Sequence, residues 1–184
     1  MDDGEVACPQ CGYSKEEPTA YRTDYVPQDL LDLGLSPAFV EFVCLDPKPK
    51  PLSSQCEPRE YGWPCFVPED VTVVFPLWSY NADITAVWLR DGQRVFVTLC
   101  HDDPTPVVLA RTDRGLLARL FVRLIEDEDW KDRKASLRRL REAAAVAGFN
   151  SLDRVVKWHD RHGASSDFKE RLDQLVHSLD ASAG

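Results

Sequence analysis

No stretch of this sequence approaches the roughly 18 uninterrupted apolar residues that a membrane-spanning helix needs; its longest apolar runs are strand-sized. The first residues, Met1-Asp2-Asp3-Gly4-Glu5, lack the Lys or Arg and the following apolar run of a secretory signal, which implies a cytoplasmic protein. Neither a Walker-type phosphate loop nor a G-x-G-x-x-G fingerprint occurs, so nucleotide-dependent chemistry is not expected. Positive charge is in deficit: 22 Lys and Arg stand against 31 Asp and Glu, for a formal net charge of −9. Direct non-specific binding to nucleic acid requires clustered cations, and this balance argues against it. It leaves a basic protein partner open.

What is present fits an α+β protein. A chain of 184 residues that is 43% hydrophobic has the material for one core of ordinary size, with or without an appendage. Leu30, Leu31, Leu33 and Leu35 follow Pro27, and Ser36-Pro37 reads as an N-cap with proline at the first helical position, so two short helices are expected. Residues 46–64 hold five prolines, a composition that sustains neither a ladder nor a helix interior and predicts a long loop. The middle third reads as sheet: Val71-Thr72-Val73-Val74-Phe75 ended by Pro76, then 84–89, 94–100 and 107–110. Asp91-Gly92 between the second and third runs predicts a two-residue hairpin turn. Four strands in meander order give a mostly antiparallel sheet with one face to bury. Thr112 or Asp113 caps the covering helix, in which Leu116, Leu117, Leu120, Phe121, Leu124 and Ile125 form the apolar stripe and Arg119 and Arg123 lie off it. Glu126-Asp127-Glu128-Asp129 places unfavourable charge at its C-terminus, with Trp130 packing behind. Three apolar stripes follow, the last after a box-like Asp167-x-x-Glu170, and predict a C-terminal helical subdomain. The organisation read from this pattern is a cysteine-containing N-terminal part over 1–66, a sheet-plus-helix unit over 67–130 and a three-helix segment over 131–184.

Charge follows the same division. Residues 1–70 carry 14 acids and 5 bases, 71–130 carry 9 and 6, and 131–184 carry 8 and 11. The two ends therefore attract each other or face different partners.

Three constellations bear on chemistry. Cys8-x-x-Cys11, with Pro9 inside and Gly12 after it, has the shape of a zinc knuckle that aims two thiolates at a tetrahedral metal. Two further ligands are needed for a structural zinc site, and Cys44, Cys56 and Cys65 flank the proline-rich loop; the alternative is free cytosolic thiols. His101-Asp102-Asp103 is either a base with a carboxylate neighbour, half of a metal site, or, preferably, a polar strand end with an Asp-Pro turn. His159 and His162, three apart on a helix, either share a ligand or belong to a solvated basic face. Among the aromatics, Trp88 belongs in the core, whereas Trp78 and Tyr80, near Asp83, are read as surface groups that line either a ligand groove or a partner surface.

The order Val67-Pro68-Glu69-Asp70, Phe75-Pro76-Leu77-Trp78, Asp83-Ile84, Asp91-Gly92, His101-Asp102 and the closing helix over 116–125 resembles the SUKH superfamily, the cell-wall-assembly-regulator type of domain found in bacterial immunity proteins. The resemblance covers about a third of the chain, over 67–126. It implies an α+β fold with a mostly antiparallel sheet, no catalytic residues and a role in binding protein partners. The reading that results is a non-enzymatic immunity protein that neutralises a basic toxin by direct binding, with Trp78, Tyr80, Asp83, His101 and Asp102 as partner-binding residues and Cys8 and Cys11 as zinc ligands. Two readings compete with it. One is a small zinc-dependent enzyme using His101 and Asp102 with cysteine ligands; the other is a regulatory scaffold whose basic C-terminal helices bind an acidic surface, so that deleting 131–184 leaves a folded core but removes the partner.

Overall fold

The computed structural model describes residues 22–58, 71–81, 83–99 and 105–182. Two short helices lead, α1 (Pro27–Asp32) and α2 (Pro37–Cys44). Strands β1 (Val71–Tyr80), β2 (Asp83–Arg90), β3 (Gln93–Leu99) and β4 (Val107–Ala110) form one antiparallel sheet in the order β1-β2-β3-β4. Helices α3 (Asp113–Asp127), α4 (Arg133–Val146), α5 (Leu152–His162) and α6 (Phe168–Ala181) follow. The expected α+β class, antiparallel meander and C-terminal helices are all present.

The central hairpin forms because Asp91 and Gly92 both adopt positive φ, 50° and 71°, as a type I′ turn demands. That turn sets Arg90 opposite Gln93 and, further along, Val87 opposite Phe96 and Thr85 opposite Thr98. The first hairpin closes Tyr80 onto Asp83, with Asn81 at φ 48°. β1 does not stop at Pro76 as the sequence predicts. The Pro76 carbonyl accepts the Tyr25 hydroxyl from outside the sheet at 2.6 Å, so the residue faces the outer edge, where its missing N–H breaks no ladder bond. The strand then passes a register irregularity between Pro76 and Trp78 and continues to Tyr80.

Nor does the sheet bury a single face. Phe75, Leu77, Trp78, Val87, Phe96 and Ala110 join the main core beneath the helices, while Val71, Val74, Ala86, Trp88, Val97 and Leu99 form a second buried cluster. The unbroken apolar run Ala86-Val87-Trp88-Leu89 is the sequence mark of a strand covered on both sides. The described part of the proline-rich segment, 46–58, is likewise more ordered than a loop. Leu52 and Cys56 are buried around a 3-10 turn (Leu52–Ser54), and Glu57 exchanges two backbone hydrogen bonds with Ser79 on the outer side of β1, at 3.0 and 3.3 Å.

α3 is the keystone. Its N-cap Thr112 accepts the Gly115 N–H, and α4, α5 and α6 all pack on it. Its acidic C-terminus is tolerated because the charges are engaged: Asp127 accepts from the Gln55 amide, Glu128 pairs with Arg139, and the Trp130 indole N–H donates to the Ile125 carbonyl at 3.0 Å. One hydrophobic cluster extends from Tyr25 through α2, the sheet and α3 to Leu179, and the Phe121 and Phe149 rings stack at 5.0 Å within it. The C-terminal helices therefore share their core with α3. The box expected at the start of α6 is not formed: the Asp167 carboxylate accepts from the Arg171 guanidinium at 2.8 Å and from Ser165 rather than capping backbone N–H groups.

Candidate functional site: a cleft at the sheet end

The helix-facing side of the sheet changes character toward the Tyr80–Asp83 hairpin. Trp78, Thr85 and Thr98 lie side by side across β1, β2 and β3, one pleat beyond the apolar row of Phe75, Val87 and Phe96. Two adjacent threonines leave room that three large side chains would fill. A cleft of about 260 Å³ opens there between the sheet and α3, closed on one side by Phe168, Lys169 and Leu172 of α6 and on another by Gln55.

α3 contributes Arg119, Arg123 and Glu126, spaced so that all three project from one face. Arg119 is a structural clamp: its Nε donates to the Leu109 carbonyl of β4 at 2.6 Å and its Nη2 pairs with Asp173 of α6. Arg123 sits over the Tyr80 ring, 5.7 Å from the centroid, a cation–π contact that steers the phenol. Glu126 and Lys169 meet no opposite charge within salt-bridge reach among the described residues. Gln55 is 4% exposed; its amide donates to Asp127 while its Oε1 has no partner among the described residues, an uncompensated acceptor at the cleft wall. The floor is apolar, with Trp78, Leu116 and Leu120, and the rim carries hydroxyl, carboxylate, ammonium and guanidinium groups.

The five partner-binding residues expected from sequence divide three ways. Trp78 is corrected from a surface group to a buried one. At 3% exposure it packs against Phe39 and Phe42 with ring centroids 6.3 and 5.8 Å away, because the strand runs on past Pro76 and carries it beneath α2; only the cleft floor reaches it. Tyr80 and Asp83 are half-buried partners in the hairpin, one pleat beyond Trp78 and Thr85; neither lines the cleft, and Tyr80 touches it through Arg123. His101 and Asp102 lie outside the described residues, as do Cys8 and Cys11.

Of the thiols considered as further zinc ligands, Cys44 is exposed on α2 and Cys56 is buried. Burial pushes the Cys56 thiol up to about 12, against the lowering effect of Lys48, away from the thiolate that a metal requires. Among the described residues, no three His, Cys, Asp or Glu side chains converge on one point. His159 and His162 are packing groups: His159 meets the Phe168 ring edge-on and His162 lies against Trp158, centroids 6.3 and 5.6 Å apart.

The residues that sequence reasoning passed over are Gln55, Thr85, Thr98, Arg119, Arg123 and Glu126. The helical three carried a signal, since positions 119, 123 and 126 share one side of α3 beside its apolar stripe. The threonines carried none, because threonine is ordinary in strands.

Comparison with family models, curated proteins and solved structures returns no match. The functional reading rests on the site itself.

Proposed function

We propose that this protein is a non-enzymatic protein-binding module of the immunity type, which neutralises a basic toxin by direct contact through the sheet-end cleft. The make-up of the cleft carries the reading. At about 260 Å³ it has room for one anchoring side chain of a protein partner, over an apolar floor and beside charged and hydroxyl groups. Interfaces concentrate their energy in such pockets, with an apolar floor, a polar rim and aromatic groups nearby. Tyr80, held against the lining residue Arg123, is the aromatic group beside the cleft. The resemblance to SUKH domains over 67–126 supports the same class of function, and the overall charge of −9 favours fast association with a cationic protein.

The test is co-expression with the product of the neighbouring gene, whatever it encodes, and assay of that product for toxicity. Protection of the cells, and a complex that co-purifies, are expected. Tyr80→Ala and Glu126→Ala, both outside the main core, are expected to weaken the purified complex by about tenfold each, the scale of a modest hot spot, with unchanged circular dichroism. A chain that neither protects nor binds would sink the reading, and a complex indifferent to both substitutions would move the interface elsewhere.

A further inference from the structure

A second cavity, about 540 Å³, lies between α5, which contributes nothing to the cleft, and α6, which closes one side of it. Its α5 wall presents Arg154, Lys157 and Arg161, whose spacing places them within one arc of the helix. The two acids of α5 are turned the other way: Asp153 pairs with Arg141 at 3.2 Å and Asp160 with Arg133 at 2.7 Å, both on α4. The helix thus sorts its charges, with carboxylates toward α4 and cations toward the groove.

Those cations lack counter-charges. Arg154 reaches only the neutral Ser178 hydroxyl, at 2.8 Å, and Lys157 and Arg161 have no carboxylate within salt-bridge reach among the described residues. Arg171, on the facing helix, is neutralised by Asp167 at 2.8 Å. Among the described residues, the carboxylates of α5 are engaged elsewhere and these three cations line one groove without one. The rest of the lining includes His162 and Leu175. Gln174 and Ser178 offer hydrogen-bonding groups, and Trp158, braced by Phe168 at 5.4 Å between centroids, offers a flat apolar surface.

We infer that the α5–α6 groove binds a short, extended, acidic segment of a partner polypeptide. From Arg154 to Arg161 the helix rises about 10 Å, a length that three or four extended residues span. Alternate side chains of such a segment point the same way about 7 Å apart, a repeat that carboxylates can use to meet successive cations. Gln174 and Ser178 suit its backbone, and Trp158 suits an intervening apolar side chain. A nucleic acid is disfavoured because a long polyanion would also meet the field of a chain carrying −9 overall, whereas a short segment samples the groove alone. This site is separate from the cleft, and its failure would leave the toxin-binding proposal untouched.

The experiment uses the full chain and a fluorescein-labelled octapeptide alternating Glu with Leu, read by anisotropy at low salt, beside the same peptide with Gln for Glu and an octamer of deoxythymidine. The Glu peptide is expected to bind, to release as salt is raised, and to outcompete both controls. Lys157→Gln combined with Arg161→Gln is expected to weaken it about tenfold, since each exposed pairing is worth a factor of a few. Lys131→Gln combined with Arg138→Gln removes the same charge from outside the groove and is expected to cost less than about twofold. Equal affinity for the Gln peptide, equal losses in the two double variants, or tighter binding of the oligonucleotide would each overturn the assignment.

Discussion

At the scale of single residues, charge is placed more deliberately than composition suggests. Asp167 is held well below the ordinary carboxylate range, at about 2, by its hydrogen bonds from Arg171 first and Ser165 second. Because the folded value lies below the unfolded one, near 3.9, the pairing contributes fully above about pH 4 and is lost as pH falls toward 2. A carboxyl-carbon NMR titration is expected to give a midpoint near 2 for Asp167, returning toward the unperturbed value in Arg171→Gln. An unchanged midpoint in that variant would show that Ser165 dominates instead. Arg94 is the converse case: burial lowers its pKa, opposed by Asp113 and Asp180, and it remains useful as a donor, giving Nη1 to the Leu33 carbonyl at 2.8 Å and so tying the α1–α2 turn to the sheet. Neither role shows in sequence, where a lone Arg in a strand or an Asp before a helix has several ordinary uses.

At the scale of elements, helix and strand identity was legible and edges were not. The type I′ hairpin, the Thr112 cap and the apolar stripe of α3 are local patterns, and local patterns survive into the fold. The run of β1 through Pro76 and the bonding of Glu57 to Ser79 depend on which strand becomes an outer one, a fact that periodicity does not encode. The candidate site suffered the same way. Trp78 lies deeper than its sequence suggests because β1 runs on past Pro76, Tyr80 and Asp83 flank a turn and stand beside the cleft without lining it, and Thr85 and Thr98 become notable only when paired side by side. The joint between α6 and α3 is another long-range device. Asp180 accepts from Arg111 N, Thr112 N and Thr112 Oγ1 at 2.9, 3.0 and 2.6 Å, and Gly115 is required there because a Cβ would overlap the Asp180 carboxylate and crowd Ala110. Asp180→Ala is expected to cost about 2 kcal/mol, a fall in Tm of about 4–8 °C, measured by urea and thermal unfolding. A loss under about half a kcal/mol would mean that water replaces the carboxylate without penalty.

At the scale of the whole molecule, the three-part division of the sequence is one of charge more than of packing. The net basic segment over 131–184 supplies Leu140, Ala143, Phe149, Val155, Leu175 and Val176 to the same cluster as Phe39, Trp78 and Phe121. Removing it strips α3 of cover, so a chain ending at residue 130 is expected to be insoluble or to unfold without cooperativity, as judged by near-ultraviolet circular dichroism and denaturant titration. A sharp unfolding transition in that truncation would show that the sheet and α3 stand alone, as the removable-module reading requires. Cells expressing it would then distinguish loss of a groove from loss of the fold.

The two edges of the sheet are treated differently, and this limits how copies of the chain can associate. Along β1 three positions on the outward side are already engaged: Val74 O by the Arg22 N–H at 2.8 Å, Pro76 O by Tyr25, and Ser79 by Glu57. β4 pairs with no further strand among the described residues, and it shows Val107 and Val108 at 55% and 56% exposure. Growth by strand addition needs two open edges per unit, so that each newcomer presents the next site. With one edge sealed, any β4-to-β4 pairing terminates at two chains, and the route to a fibril built from intact folded units is closed.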